Sequence, residues 1–299
     1  MTRAQVPGAR VTVVICTRNR PDQLAITLAA LRAQSRPDFT VTIVDQSDDP
    51  VTSSEGPPTA KVIHDRGTGL ARARNIGWRD ATTEWVVFLD DDCVPEPDWA
   101  ERLQEALVDH PEASFASGSV LGHGGPRDGD YLRVSVFEVP SEQVRGGRWT
   151  RPWHIGLGAC MAVRRAALER LGGFDERLGA GRADFPAAED MDFNYRFLRS
   201  GGIAFVTPRP RVRHEQWRDP AHLGPHYRGY MAAWSGFAMK HLRGGDFAGG
   251  AWLWSLGVRD AARMLASAAR RGSLLRLRVF GWKLRGLASG TVRGLARSW

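Results

Sequence analysis

Three consecutive carboxylates, Asp90-Asp91-Asp92, close the apolar run WVVFL at 85–89. Like charges this close repel, so the triplet calls for a compensating cation. An apolar strand would hold its backbone at a rigid sheet end. In extended chain Asp90 and Asp92 point one way and Asp91 the other. Two carboxylates on one side can hold a hard divalent ion and leave positions for phosphate oxygens and water. The plain alternative is an acidic start to a helix over 97–108. It is the weaker reading, because Pro95 and Pro97 delay that helix beyond Asp92.

Other residues invite chemistry. The segment GTGLARARNIG, 67–77, carries Arg72 and Arg74, whose guanidinium forks match phosphate oxygens. Arginines on an exposed helix start explain the same pattern. Thr17-Arg18-Asn19-Arg20 and Asp45-Gln46-Ser47-Asp48-Asp49 are further polar clusters, each readable as a solvated loop. Glu189-Asp190-Met191-Asp192 enters a helical pattern. Acids suit a helix start, and one that faces a cleft can serve as a general base. His214 matters if it reaches an ion at Asp90 and Asp92, which spacing cannot show. No G-x-x-x-x-G-K-[ST] or G-x-G-x-x-G occurs, so ATPase and dinucleotide readings lose their usual support.

The elements that must position these groups follow from periodicity. Residues 11–16, 40–45, 61–64 and 85–89 read as short apolar strands. Helical spacing runs from Pro21 through Ala33 and from Leu70 to Ala81. The alternation predicts an α/β fold with a largely parallel sheet, which binds ligands beyond the carboxyl ends of its strands. The polar clusters stand at those ends. Further on come an apolar segment at 156–163, a short helix, a Gly/Ala-rich loop at 179–188 that can order over a ligand, and a last strand at 203–206.

The chain has 299 residues, 42% hydrophobic and 25% charged, an ordinary composition for a large domain or two small ones. Cys16, Cys93 and Cys160 stand apart, which argues against a disulfide framework and fits a reducing cytosol. No apolar run approaches the ~20 residues of a membrane span, and the first residues do not read as a signal peptide. The net charge of +8 is uneven: residues 218–299 hold 14 Lys/Arg against 3 Asp/Glu, and the rest is slightly acidic. Arg259, Arg263, Arg270 and Arg271 fall on one helical face, with Val258, Ala262, Leu265 and Ala269 near the other. With Trp234, Trp252, Trp254, Trp282 and Trp299, this pattern predicts basic amphipathic helices on an anionic membrane surface. A helical cap packed on the body is the plainer alternative. No nucleic-acid motif accompanies the charge.

Taken in order, VTVVICTRNRP, TIVDQSDD, GLARARNIG, WVVFLDDD, GGFDE and AEDMDFNYRF resemble family 2 of the glycosyltransferases, inverting enzymes of the GT-A fold. The resemblance implies a GT-A, Rossmann-like nucleotide-diphospho-sugar domain over 1–217 and a basic helical region over 218–299. It implies that Thr17, Arg18 and Asp45 line the nucleoside pocket. Arg72, Arg74, Asn75, Asp90 and Asp91 would face the donor. Asp90 and Asp92 match a D-x-D motif for Mn²⁺ or Mg²⁺, and Asp190 matches the catalytic base. His214 with Trp217 is similar to bacterial galactofuranosyl- and rhamnosyltransferase-like members, where the His is a further metal ligand. Glu189 and Trp217 would border the acceptor. Gln46 departs from the usual pattern and leaves base selectivity open.

The expected activity is metal-dependent, inverting transfer from a UDP- or dTDP-sugar, with GDP open, to a hydroxyl of a glycan or lipid-linked acceptor. The expected setting is cell-envelope or polysaccharide synthesis at the cytoplasmic face of the membrane. A sugar-phosphate nucleotidyltransferase would carry a Gly-rich phosphate loop after the first strand, which TRNRPDQ is not. A non-catalytic nucleotide-sugar scaffold on the membrane is argued against by intact Asp90, Asp92 and Asp190.

Overall fold

Strands buried on both faces read as unbroken apolar runs, and the first strands of this chain do so because helices cover both sides. The computed structural model describes residues 11–51, 60–123, 136–215 and 222–299. It divides into two compact units: 1–125, 132–174 and 190–216 in one, 126–131, 175–189 and 217–299 in the other.

Among the described residues, the first unit is built on a nine-stranded sheet. Its strands are β1 (Val11–Thr17), β2 (Thr40–Asp45), β3 (Ala60–His64), β4 (Trp85–Asp90), β5 (Cys93–Pro95), β6 (Phe115–His123), β7 (Gln143–Arg145), β8 (Cys160–Arg164) and β9 (Ala204–Glu215). The order is β3-β2-β1-β4-β8-β6-β9-β5, with β7 also on β9. The helices are α1 (Pro21–Arg32), α2 (Leu70–Asp80), α3 (Trp99–Asp109), α4 (Arg165–Leu171) and α5 (Glu189–Arg199). Alternation along the strands sorts two cores. Val13, Ile15, Val87 and Leu89 face Leu24, Leu28 and Leu31 of α1 and Trp99, Leu103 and Leu107 of α3. Val14, Val86 and Phe88 face Trp78 of α2 and Phe193, Phe197 and Leu198 of α5.

The expectation of a largely parallel sheet needs correction. β3, β2, β1 and β4 are parallel neighbours. Beyond them β8 runs antiparallel to both β4 and β6, and β9 is antiparallel to β5 and β7 while parallel to β6. The last strand is also 12 residues long, far longer than 203–206. Pro208 and Pro210 hide it, since proline lacks a ladder donor. They fit because the β6–β9 register shifts between Ser117 and Ser119, from Val206 to Arg211, and both prolines fall inside the shift.

The second unit contains α6 (Leu223–Arg243), α7 (Phe247–Arg271) and α8 (Leu274–Ala296). Glycines let α8 lie on α6: a Cβ at Gly286 or Gly290 would overlap the carbonyl oxygen of Arg228 or Ala232, and one at Gly294 would come within 2.8 Å of Met239 Cβ. This spacing of four is the small-residue stripe that permits close helix contact. The expected faces of α7 are corrected: Ala262, Leu265 and Ala269 are exposed, and the covered positions are Leu253, Leu256, Ala261 and Ala268. The tryptophans are likewise drawn inward. Trp234 Nε1 donates to the Leu253 carbonyl and Trp254 Nε1 to Thr291 Oγ1, both at 2.9 Å. Trp282 packs on Gly224, and Trp299 stacks on Phe185 with centroids 5.3 Å apart.

Segment 175–189 belongs to this helical unit. Asp175 holds Arg177 Nη2 and Lys240 Nζ at 2.7 Å each. Burial raises its carboxyl, but those two cations outweigh burial and hold it at about 2. Phe185 is fully buried, against Gly236. Asp184 pairs with Arg297 at 2.6 Å.

Candidate active site

The strand ends of the first unit gather the polar clusters. β1 and β4 are hydrogen-bonded neighbours with Cys16 opposite Asp90, and Thr17 is opposite Asp45 of β2. Adjacent ends of parallel strands thus deliver Thr17, Asp45 and Asp90 to one edge, as the fold class requires.

The acidic triplet does not stay extended. Strand β4 ends at Asp90, and Asp91 and Asp92 turn before β5 begins at Cys93. The buried Thr27 of α1 pins this turn, its hydroxyl lying 2.8 Å from both the Asp91 and Cys93 carbonyl oxygens. The expected arrangement, with Asp90 and Asp92 on one side and Asp91 opposite, is therefore replaced. Asp91 and Asp92 share Arg20, whose Nη1 donates to Asp91 Oδ1 at 2.7 Å and whose Nη2 donates to Asp92 Oδ2 at 2.8 Å. Asp90 takes Arg74 Nη2 at 3.0 Å. Two guanidinium groups thus supply much of the charge compensation that sequence reasoning assigned to a metal. Arg20 is the residue that reasoning passed over. It stands two positions after Arg18, and only the fold distinguishes Arg18, exposed, from Arg20, turned onto the acids.

The three carboxylates have different electrostatic environments. Burial, with Asp92 and Asp90 alongside, raises Asp91 to about 7 against the opposing pull of Arg20 and Thr17 Oγ1, which donates to it at 2.8 Å. Asp92 is half-buried, and its burial raises its carboxyl, but the hydrogen bond and charge of His214, together with Arg20, hold it at about 2. His214 Nε2 lies 3.0 Å from Asp92 Oδ1, and β9 delivers it because Cys93 and His214 are paired across β5–β9.

Asp92, Cys93 and His214 place one ligand atom each within 4.8 Å of one another. Neighbouring ligands of an octahedral ion with bonds of ~2.1 Å lie about 3 Å apart, so the Asp92–His214 spacing fits a divalent cation. Burial and the Asp90 and Asp92 charges push the Cys93 thiol up, and its soft sulfur suits a hard divalent cation less well than the oxygen of Asp92. Asp90 is not in this group; its carboxylate is engaged with Arg74.

Asp190 opens α5. Its Oδ2 accepts the Gly158 amide at 3.0 Å, and its Oδ1 accepts the Met191 amide at 2.8 Å. Gly158 also covers Arg74, whose Nη2 a Cβ there would overlap. The route from Asp90 through the Arg74 guanidinium and Gly158 to Asp190 is therefore continuous contact between residues far apart in sequence. Nothing local marks Gly158 for this role. Glu189 is buried, with its carboxylate against Gly179. Trp217 lies outside the described residues.

The nucleoside-side candidates are built into the same edge. Asp45 is wholly buried, and its carboxylate accepts the Ser47 amide at 2.8 Å and the Val51 amide at 2.9 Å. Burial raises its carboxyl, and these donors together with His64 hold it below the ordinary value. Arg72 Nε and Nη2 donate to Asp65 at 2.9 and 3.0 Å. Gln46 Nε2 donates to the same carboxylate while its Oε1 accepts the Gly69 amide, both at 2.9 Å. Gln46 thus closes the loop that leads into α2. Asn75 is turned away from the acids: its Oδ1 accepts the Phe174 amide and its Nδ2 donates to the Phe174 carbonyl, at 2.9 and 2.8 Å.

Residues 12–172, more than half of the chain, match the family model described as Glycosyl transferase family 2. The chain belongs to glycosyl transferase family 2. Among curated relatives, this family 2 chain is 27% identical to the O-antigen biosynthesis protein RfbC of Myxococcus xanthus, over 69% of this chain and 17% of that protein. It is 26% identical to the glucosyl-dolichyl phosphate glucuronosyltransferase of Haloferax volcanii, over 69% of each. It is 29% identical to an N-acetylglucosaminyl-diphospho-decaprenol L-rhamnosyltransferase of Mycobacterium tuberculosis, over 48% of this chain and 53% of that one. The chain thus spans less than a fifth of the first relative and about half of the third.

The fold is GT-A. The transferase superposes on the mannosyltransferase PcManGT of Pyrobaculum calidifontis, a structure with GDP-Man and Mn²⁺, with a TM-score of 0.61 at 20% identity, covering 97% of this chain and 90% of that one. It superposes on S. aureus TarS with a TM-score of 0.57 at 17% identity, covering 78% and 65%. Among the described residues, no helix is long and apolar enough to cross a membrane.

Proposed function

We propose that this transferase moves a sugar from a nucleotide-diphosphate donor to a hydroxyl of a glycan or lipid-linked acceptor. We place the reaction in cell-envelope or polysaccharide synthesis, with a divalent cation and inversion at the anomeric carbon. The contact route from Asp90 through Arg74 and Gly158 to Asp190 carries the reading: it sets a carboxylate able to take a proton near the edge where a diphosphate would be held. In the reaction the bond from the anomeric carbon to the diphosphate oxygen breaks, with its electrons leaving on the diphosphate. The acceptor oxygen bonds to the opposite face of that carbon, and its proton passes to Asp190. An alcohol is far too weak an acid to ionise near neutral pH, so this proton must leave during attack.

Asp92 and His214 are the residues that would hold Mn²⁺ or Mg²⁺, and such an ion would supply Lewis-acid stabilisation of charge on the leaving diphosphate. The protein's own contribution is positional. Arg20 and Thr27 hold the Asp91–Asp92 turn, and Asp45, Thr17 and the Gln46–Asp65–Arg72 network shape the nucleoside side. UDP-, dTDP- and GDP-sugars are the donors to compare, since solved neighbours carry UDP, UDP-GlcNAc and GDP-Man. The relatives named for O-antigen and polyprenyl-linked substrates support an envelope acceptor. The basic helices support attachment at the cytoplasmic face of the membrane through anionic lipid.

Two measurements test the reading. Calorimetry of each nucleotide with Mn²⁺ or EDTA should find one that binds only with metal, and metal-independent silence across the panel would overturn it. Asp190→Asn should lower transfer at least about a thousandfold, toward the upper range for acid–base groups, and retain nucleotide binding. Full activity in that variant would remove Asp190 as the base.

A further inference from the structure

Helix α8 has two apolar faces, and only one is covered. Val279, Gly286, Leu287, Gly290 and Gly294 are buried within the helical unit. On the other side Leu274, Leu277, Leu284, Val292 and Leu295 are 72, 48, 49, 67 and 48% exposed. Gly281 and Ala288 fill the intervening positions; a Cβ at Gly281 would meet nothing within 4 Å, and Ala288 is exposed. The spacing of three and four is sustained from end to end. At ~100° per residue these positions fall within an arc of about 80°, and at ~1.5 Å per residue the stripe runs about 30 Å.

Charge decides what this stripe can meet. α8 contains five Lys/Arg and no Asp/Glu. Lys283 is turned inward to Asp260, at 2.5 Å. Arg278 and Arg285 are exposed and lie about 20–40° beyond Leu274 around the helix, along the edge of the stripe. Arg270 and Arg271, at the end of α7, are exposed just before the turn at Gly272. A second copy of this helix would bring like rows of arginine together. A surface of anionic headgroups above hydrocarbon matches both the arginines and the leucines, because long basic side chains keep their charge in the headgroups while their stems lie along apolar surface.

We infer that α8 lies flat in the surface of an anionic bilayer, with Leu274, Leu277, Leu284, Val292 and Leu295 inserted and Arg278 and Arg285 at headgroup level. This rests on the membrane attachment proposed above and assigns it to one helix face. It also departs from the tryptophan anchoring expected from sequence, since Trp234 and Trp254 bond within the bundle.

The test is sedimentation of the full chain with vesicles of phosphatidylcholine, alone or mixed with phosphatidylglycerol. The wild type should sediment with the anionic vesicles only. The triple variant Leu277→Gln/Leu284→Gln/Val292→Gln should lose affinity at least about tenfold, with helix content and nucleotide binding unchanged. Arg278→Gln/Arg285→Gln should also weaken binding and reduce its salt dependence. If the triple variant binds as the wild type does, the α8 assignment fails while membrane attachment stands. If the wild type binds no vesicle, the attachment itself fails. Self-association that the triple variant abolishes would overturn the inference in favour of a second copy.

Discussion

Arg20 and Arg74 make the acidic strand end possible before any ligand arrives. Arg20 spans the gap between Asp91 and Asp92 that carboxylate repulsion would widen, with planar, directed donors that lysine lacks, and Arg74 offsets the charge of Asp90. Arg20→Lys should therefore lose one of its two contacts and loosen the Asp91–Asp92 turn, raising the metal requirement of donor binding several-fold in calorimetry. Gly158 is the most exposed to failure of the residues between Asp90 and Asp190. Gly158→Ala would drive a methyl group into the Arg74 guanidinium, an overpacking cost of about 1–3 kcal/mol. If that cost is carried into the transition state, transfer should fall about 5- to 150-fold, while nucleotide affinity changes less. An unchanged kcat would show that the Arg74–Gly158–Asp190 contacts do not position the base.

At the scale of elements, helix entry and helix contact carry the strain. Ala188 precedes α5 with φ of +73°, a left-handed conformation that costs a residue with a Cβ about 1 kcal/mol. Ala188→Gly should relieve this and leave thermal stability equal or higher, offset in part by the freer unfolded chain. The α6–α8 contact allows no such latitude. Gly290→Ala would press a methyl group against the Ala232 carbonyl, and thermal unfolding should report a loss of about 1–3 kcal/mol. A neutral result would mean that α8 can slide or tilt, which would also loosen the exposed stripe's register.

Over the whole molecule, charge is divided as well as structure: an acidic-to-neutral α/β unit with its site, and a strongly basic helical unit. Segment 175–189 is tied to the helices by Asp175, Phe185 and Asp184, and its last residue precedes Asp190 in the chain. Acid sensitivity follows from Asp175. Its folded carboxyl sits at about 2 against an ordinary 3.8, so its stabilisation is fully present above pH ~4 and disappears as pH falls toward 2. That shift corresponds to about 2 kcal/mol at neutral pH. In acid titration followed by circular dichroism, Asp175→Asn should be less stable at neutral pH and show a flatter decline between pH ~4 and ~2. A decline as steep as the wild type's would assign the acid transition to other carboxylates.

What the sequence by itself determined is local. The first strands and helices are legible because each strand is a short apolar run and each helix carries its own spacing and start, as at Pro21. The polar clusters after β1, β2 and β4 are legible as strand ends for the same reason, and six motifs in order, three of them at these strand ends, point to the family. Tertiary structure decided what depends on partners distant in the chain. It selected Arg20 over Arg18 because only one faces the Asp91–Asp92 turn. It made a strand of 204–215 despite two prolines, because a register shift on β6 accommodates them. It brought His214 to Asp92 through strand pairing 121 residues apart, and Gly158 to Asp190 through a backbone amide. In the basic tail, apolar residues occur all around α8, so periodicity names no inner face. The face that packs is the one where Gly286, Gly290 and Gly294 let α6 approach, and the leucines left outside are defined by that contact.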